Sequence, residues 1–276
     1  MRETDAMALP HDPLWPRAGD WPAPIPGEAA DAALIGVRTS STSLSPTNAH
    51  ETPAAVRDAL RRFSFESGLR IVDAGDDPDI ASIEASLVIA LGGDNSATVR
   101  VASGRGAMGL VTLDAHHDLR DGSSNGSPVR QLIEAGLVGT RVVQVGIEPF
   151  ANSRAYAQRA ADYGITVITR DELRRRPMAD VMAEALSIAS GGGGAVHVDL
   201  DVDVCDRSVA PACPASVPGG ISAIELRAAA RAAGAHPSVG SIDLVEVDAT
   251  ADAPDGRTVR LVALCVLESL AGLAQR

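Results

Sequence analysis

Short apolar runs recur along the chain, each closed by polar or small residues: 32–37, 87–91, 109–113, 142–146, 165–168, 195–198 and 241–245. Runs of this length, rich in Val, Ile and Leu and lacking polar alternation, predict strands buried on both faces. Helical spacing fills the intervals. Thr52-Pro53 opens a helix in which Val56, Leu60 and Phe63 repeat at helical period, with proline at an early position where its missing N–H costs nothing. A small-residue helix follows Gly92-Gly93-Asp94-Asn95, another begins near Pro128, and 152–163 reads as helix. A helix starts at Asp171 and stops at the Gly191–Gly194 run. Ser222 followed three residues on by Glu225 has a capping-box pattern, and the last helix starts near Thr258.

Strands alternating with helices imply an α/β protein, a mostly parallel sheet covered on both faces. With no internal repeat and no linker, 31–276 reads as a single domain. Residues 1–30, with Trp15, Trp21 and many prolines, read as an irregular arm lying over the domain or a neighbouring subunit. At 276 residues and 45% hydrophobic content the chain can bury a sizeable core. A net charge of -12 argues against nucleic-acid or anionic-membrane binding, which need a basic face. The polar start lacks a signal peptide's apolar stretch, and no run approaches a membrane span. Cys205, Cys213 and Cys265 form no zinc or disulfide framework and suit a reducing compartment. The reading is a cytoplasmic protein.

The chemistry sits where strands end. Asp114-Ala-His116-His117-Asp118 follows one apolar run, and Asp199-Leu-Asp201-Val-Asp203-Val-Cys-Asp206 follows another. Ligands of open α/β sheets bind at that carboxyl edge. Carboxylates crowded together repel and resist desolvation, so a divalent cation is the simplest stabilising partner. Residues two apart can point the same way, which lets Asp114, His116 and Asp118 converge, and Asp201 with Asp203. Five such ligands exceed the need of one open metal site, whereas shared carboxylates bridging two ions use them all. Oxygen donors mixed with imidazole suit Mn, Fe or Zn. His117 reads equally as a group behind the ligands or as a bystander; Asp199 and Asp206 read as orienting groups or loop anchors. His197 reads as packing, His50 and His236 as surface residues.

The order Gly92-Gly-Asp-Asn-Ser96, Asp114-Ala-His-His-Asp118, Asp201-Val-Asp-Val-Cys-Asp206 with Ala210-Pro211, then Glu246, resembles the ureohydrolases: arginases, agmatinases and formimidoylglutamases. The likeness runs from about Asp31 to the last helix. It implies a three-layer αβα arginase-like fold with two manganese ions per chain. By position, Asp114 and Asp201 match the bridging carboxylates, His116 and Asp203 one metal's remaining ligands, and Asp118 with Asn95 the other's. The implied reaction is attack of a metal-bridging hydroxide on an amidino carbon, with Asp118 and Glu246 as catalytic residues. The family usually carries His where this chain has Asn95. An amide oxygen is a weaker donor, so that metal site should be the weaker one; alternatively Asn95 caps the following helix.

The loop Asn125-Gly126-Ser127-Pro128-Val129-Arg130-Gln131 lacks the histidine that arginases and agmatinases carry before Gly-x-Pro, and with Asp118-Leu-Arg120 it is similar to the formimidoylglutamase branch. The resemblance implies hydrolysis of N-formimidoyl-L-glutamate to L-glutamate and formamide, a step of histidine degradation. Asn125, Ser127, Arg130 and Glu246 are the candidate substrate-binding residues; Arg130 or Arg120 can grip a carboxylate by a bidentate fork. Two alternatives stay open: a guanidinium hydrolase (agmatinase, guanidinobutyrase or arginase-like), favoured by Glu246 and the acidic charge, and a non-catalytic binding protein with a weakened metal site. A trimer or hexamer is implied by resemblance alone.

Overall fold

A computed structural model describes residues 12–276. The first eleven residues of the proposed arm therefore lie outside the described residues. Residues 12–29 form no helix or strand, yet Ala18 is buried in the main core and Asp73 N–H donates to Pro22 O.

The chain then runs β1 (Ala30–Val37), α1 (Thr52–Leu60), β2 (Ile71–Asp76), β3 (Ala85–Gly92), α2 (Ala97–Gly104), β4 (Gly109–Leu113), α3 (Pro128–Glu134), β5 (Val142–Ile147), α4 (Arg154–Asp162), β6 (Thr166–Thr169), α5 (Arg170–Leu173), α6 (Met178–Ser190), β7 (Val196–Asp201), α7 (Ala223–Ala235), β8 (Val239–Val245) and α8 (Arg257–Leu273). All eight strands join one sheet in the order β2-β1-β3-β8-β7-β4-β5-β6, and every pairing is parallel. The fold is a three-layer α/β architecture. Residues of α1, α6, α7 and α8 pack against one face, and residues of α2, α3 and α4 against the other.

Three details differ from the sequence pattern. β2 is an unforeseen edge strand: only Ile71 and Val72 are buried, too few to give a periodic signal. The helix expected from Asp171 is two helices, α5 and α6, because Pro177 cannot continue a helix and instead stands at the N-cap of α6. β7 runs on through Asp199 to Asp201 instead of stopping at Val198. Asp199 lies opposite Asp243 of β8, wholly buried, and burial followed by the Asp243 charge pushes its carboxyl well up, towards the neutral form that a strand interior tolerates.

The site's placement follows from register. Leu91, Leu244, Leu200 and Leu113 stand in one row across β3, β8, β7 and β4. All four are buried in the same core cluster, each contributing roughly 1.5–3 kcal/mol of burial. Side chains alternate along a strand, so Asp114 and Asp201, one residue further on, point to the opposite face. Four adjacent central strands thus end together, and each end carries a charged segment.

Candidate metal centre and substrate cavity

The turn after β4 is wound by its own carboxylate: His116 N–H donates to Asp114 Oδ1 at 2.6 Å. Asp203 ties this turn to the next strand end by accepting Ala115 N–H at 3.1 Å, while its own N–H donates to Asp201 Oδ1 at 2.9 Å. His116 Nδ1 lies 2.9 Å from Asp203 Oδ2 and 3.4 Å from Asp114 Oδ1. Asp114, His116 and Asp203 thus present donor atoms within 4.8 Å of one another, close enough to hold one cation. Asp114 Oδ2 is buried without a hydrogen-bond partner, which a cation would supply.

Asp118 and Asn95 meet on the other side. Asn95 Nδ2 donates to Asp118 Oδ2 at 2.5 Å, and its Oδ1 accepts from Thr98 Oγ1 at 2.6 Å. Among the described residues no helix N–H reaches that amide, and Ser96 stands at the N-cap of α2, so the capping alternative for Asn95 fails. Asp118 and Glu246 both hold left-handed backbone, φ 52° and 63°, which costs a non-glycine residue about 1–3 kcal/mol. Such strain persists where surrounding contacts fix it. For Glu246 one of these is Gly93, whose carbonyl accepts Glu246 N–H at 2.9 Å. Gly93 itself is required, because a Cβ there would come 1.8 Å from Thr39 O.

The charges resist coexisting. Burial, then the Asp203 charge, pushes Asp114 up to about 6. Burial, then neighbouring acids, raises Asp118 and Asp201 well above the usual carboxylate range. Burial would lower His116, but the Asp203 charge and hydrogen bonds to Asp114 and Asp203 push it up to about 12. Burial lifts Glu246 to about 7 against donors from Asn125 and Asn95. A hard cation relieves this crowding, and carboxylate oxygens with one imidazole fit manganese.

Behind the ligand turn stand residues that sequence reasoning missed. Gln144 of β5 grips His117 at both ends: its Oε1 pairs with Nδ1 at 2.7 Å and its Nε2 donates to the His117 carbonyl at 2.8 Å. Asn152 accepts His117 N–H at 2.9 Å and donates to Ala115 O at 2.8 Å. His117 is therefore a clamp point on the turn. Gln144 was visible as a lone polar residue inside an otherwise apolar strand, and Asp243 as the one charge in β8. His197 joins Asp243, with Nε2 3.2 Å from Oδ2, and Ser241 at 2.8 Å. Asp206 anchors its loop by accepting Ser208 and Gly219 N–H groups.

A cavity of about 290 Å³ opens over the cluster. His116, Asp118, Asp201, Asp203 and Glu246 form its floor, while Arg120, Asn125, Ser153 and Tyr156 form its walls. The expected substrate residues separate here. Asn125 and Glu246 line the cavity, whereas Ser127 and Arg130 are not among its lining. Ser127 is buried and locks its loop through Ser124 and Gln131. Arg130 spends its guanidinium on Arg120 O, Gly122 O and Glu134, so it braces the loop instead of facing substrate. Arg120 is the arginine at the cavity, exposed and without a side-chain hydrogen bond or ion pair among the described residues.

Comparison with known proteins places these features. The arginase family model matches residues 30–272. A formimidoylglutamase of Halalkalibacterium halodurans is 34% identical over 93% of this chain and 92% of its own. The crystal structure of formimidoylglutamase from Bacillus subtilis superposes with a TM-score of 0.88 at 30% identity, covering 99% of this chain and 96% of the other. That of Trypanosoma cruzi formiminoglutamase with Mn2+ shares the fold, with a TM-score of 0.81 at 23% identity, covering 90% and 94%.

Proposed function

This chain belongs to the arginase family, and from that premise we propose that it is a manganese-dependent hydrolase converting N-formimidoyl-L-glutamate and water to L-glutamate and formamide. The observation that carries the substrate is Arg120: a guanidinium unpaired among the described residues, at the wall of a cavity whose floor holds four carboxylates and one imidazole. A dicarboxylate substrate needs such a cation, and a guanidinium fork matches a carboxylate. Agmatine would bring a second positive charge to the same wall, which disfavours agmatine among the guanidinium compounds. Relatives named formimidoylglutamase at 33–34% identity point the same way.

Asp114, Asp201, His116 and Asp203 would hold manganese on one side of the centre, and Asp118 with Asn95 on the other. Asn95 must turn its amide to offer oxygen, so that site would be the weaker. Bound manganese supplies a water nucleophile of lowered pKa and stabilises developing negative charge. The chain's residues do the rest. Arg120 holds carboxylate, and Glu246 accepts an amidinium N–H and fixes the planar carbon. Water oxygen bonds to that carbon, the bond to the glutamate nitrogen breaks, and the nitrogen takes a proton. Asp118 lines the cavity and is the residue assigned to move that proton.

The catalytic unit is assigned to 31–276, with the described residues before it as an arm. No helix of the described residues is long and apolar enough to cross a membrane. Three free buried cysteines support a cytoplasmic, reducing location, and a trimer or hexamer is expected. The test is glutamate and formamide release from N-formimidoyl-L-glutamate, beside agmatine, 4-guanidinobutyrate and arginine. Preference for the first is expected; preference for a guanidino compound would overturn the substrate, and inertness towards all four would overturn the activity.

A further inference from the structure

Glu246 meets the cavity with one carboxylate oxygen already engaged. Its Oε1 accepts Asn95 N–H at 2.8 Å and Asn125 Nδ2 at 2.7 Å. Those two donors fill the lone-pair directions of that oxygen. Asn125 cannot be turned round to relieve it. Leu44 N–H donates to Asn125 Oδ1 at 2.9 Å, and a backbone N–H only donates, so the amide nitrogen must face Glu246. Nor can Glu246 swing away: it is buried, its backbone is left-handed, and its N–H is held by Gly93 O. Only Oε2 of Glu246 is left for an incoming head group.

Amidine substrates differ in how many acceptors they require. A substituted guanidinium carries five N–H donors, whereas a formimidoyl head has hydrogen on its amidine carbon and fewer N–H groups. Each donor buried without an acceptor is costly. We propose that Asn125 is the specificity-determining residue for the head group: by occupying Glu246 Oε1 it leaves a single oxygen for substrate and so selects formimidoyl over guanidino compounds. It acts through Glu246, as a positioning residue, and at the same time ties the loop at Leu44, which lines the cavity, to the catalytic floor. The inference rests on the reading of this site as an amidine hydrolase.

The decisive comparison uses a matched pair, N-formimidoyl-L-glutamate and N-amidino-L-glutamate, which differ only by H against NH2 on the amidine carbon. KM and kcat are measured for the first, and turnover or competitive inhibition for the second, in manganese-loaded wild type, Asn125→Ala and Asn125→Asp. Asn125→Ala frees the acceptor direction of Oε1 that Asn125 fills, while Asn95 N–H keeps the other. Asn125→Asp keeps the acceptor for Leu44 N–H and replaces the donor to Glu246 by another acceptor, which separates the loop contact from the head-group effect. In both variants the preference for the formimidoyl compound should fall roughly ten- to hundred-fold. A merely structural role would weaken both compounds alike, and an unchanged ratio in either soluble variant overturns the inference. Failure of the wild type to turn over N-formimidoyl-L-glutamate would instead overturn the function on which it rests.

Discussion

Replacing Arg120 by methionine removes the guanidinium while keeping much of the side chain's apolar stem. Arg120 is exposed at the cavity wall and makes no other side-chain hydrogen bond or ion pair among the described residues, so the substitution leaves no protein partner stranded. The loss is therefore that of the substrate contact. A charge pair 4 Å apart is worth about 1 kcal/mol in water and about 4 kcal/mol at an effective dielectric of about 20. Hydrogen bonds to charged groups contribute about 1.5–3 kcal/mol net. Solvent at the cavity mouth places Arg120 in the lower part of that range, about 1.5–2.5 kcal/mol. At about 1.4 kcal/mol per decade this is a roughly 10- to 60-fold loss of kcat/KM. The assay compares N-formimidoyl-L-glutamate with an N-alkylformamidine that lacks both carboxylates. The first should suffer the full loss and the second less than about a two-fold change. Arg120→Lys keeps the charge but loses the fork, and should fall between. Equal losses on both compounds, or no loss on the glutamate derivative, would refute the assignment of Arg120 to the carboxylate.

Other perturbations probe the centre and its supports. Asp201→Asn removes a charge from the proposed bridge and should release manganese and abolish turnover; normal metal content with normal turnover would rule out bridging. Gln144→Leu strips the His117 ring and carbonyl of their partner. It should cost about 1–3 kcal/mol of stability and weaken manganese binding roughly 10- to 100-fold, read by thermal melts and metal titration; no change in either means Gln144 does not position the ligand turn. Asp248→Ala unpairs Asn48 N–H, Thr250 N–H and the Thr250 hydroxyl, at about 1–3 kcal/mol. Burial opposes ionisation of Asp248, but the donors of Thr250 and Asn48 outweigh it and hold the carboxyl below the usual range. A depressed folded pKa contributes stability above the unfolded value of about 3.9 that is lost as pH falls through the folded pKa. The gap between wild type and variant in urea unfolding should therefore shrink in acid, and a gap independent of pH would contradict this.

The strands that carry the site were legible because they are apolar runs that stop abruptly at charged residues. Asp114, His116, Asp118, Asp201, Asp203 and Glu246 are placed by such stops, and a single register row of leucines brings the four strand ends level. What the pattern could not convey is pairing across strands. Asp199 looked like part of a loop motif, yet it is a strand residue facing Asp243, whose own position in β8 drew no notice. Arg130 was named among the substrate-binding residues, and Arg120 only as an alternative grip on the carboxylate. Only packing distinguishes them, because Arg130 folds back onto the carbonyls of Arg120 and Gly122. Asn95 illustrates the same limit: its residue type suits a ligand or a cap, and only its contacts with Thr98 and Asp118 show that it sits beside Asp118 and does not cap the helix. β2 escaped because an edge strand with two buried residues has no period to read.

The account's central claim is a manganese centre of Asp114, His116, Asp118, Asp201, Asp203 and Asn95 acting on a formimidoyl carbon. Manganese titration of metal-stripped protein, with bound metal per chain and glutamate release from N-formimidoyl-L-glutamate followed on the same sample, tests it most directly. The account predicts two ions per chain, the second bound more weakly, with glutamate release rising as the sites fill. Metal binding without glutamate release, or release unaffected by stripping the metal, would contradict it.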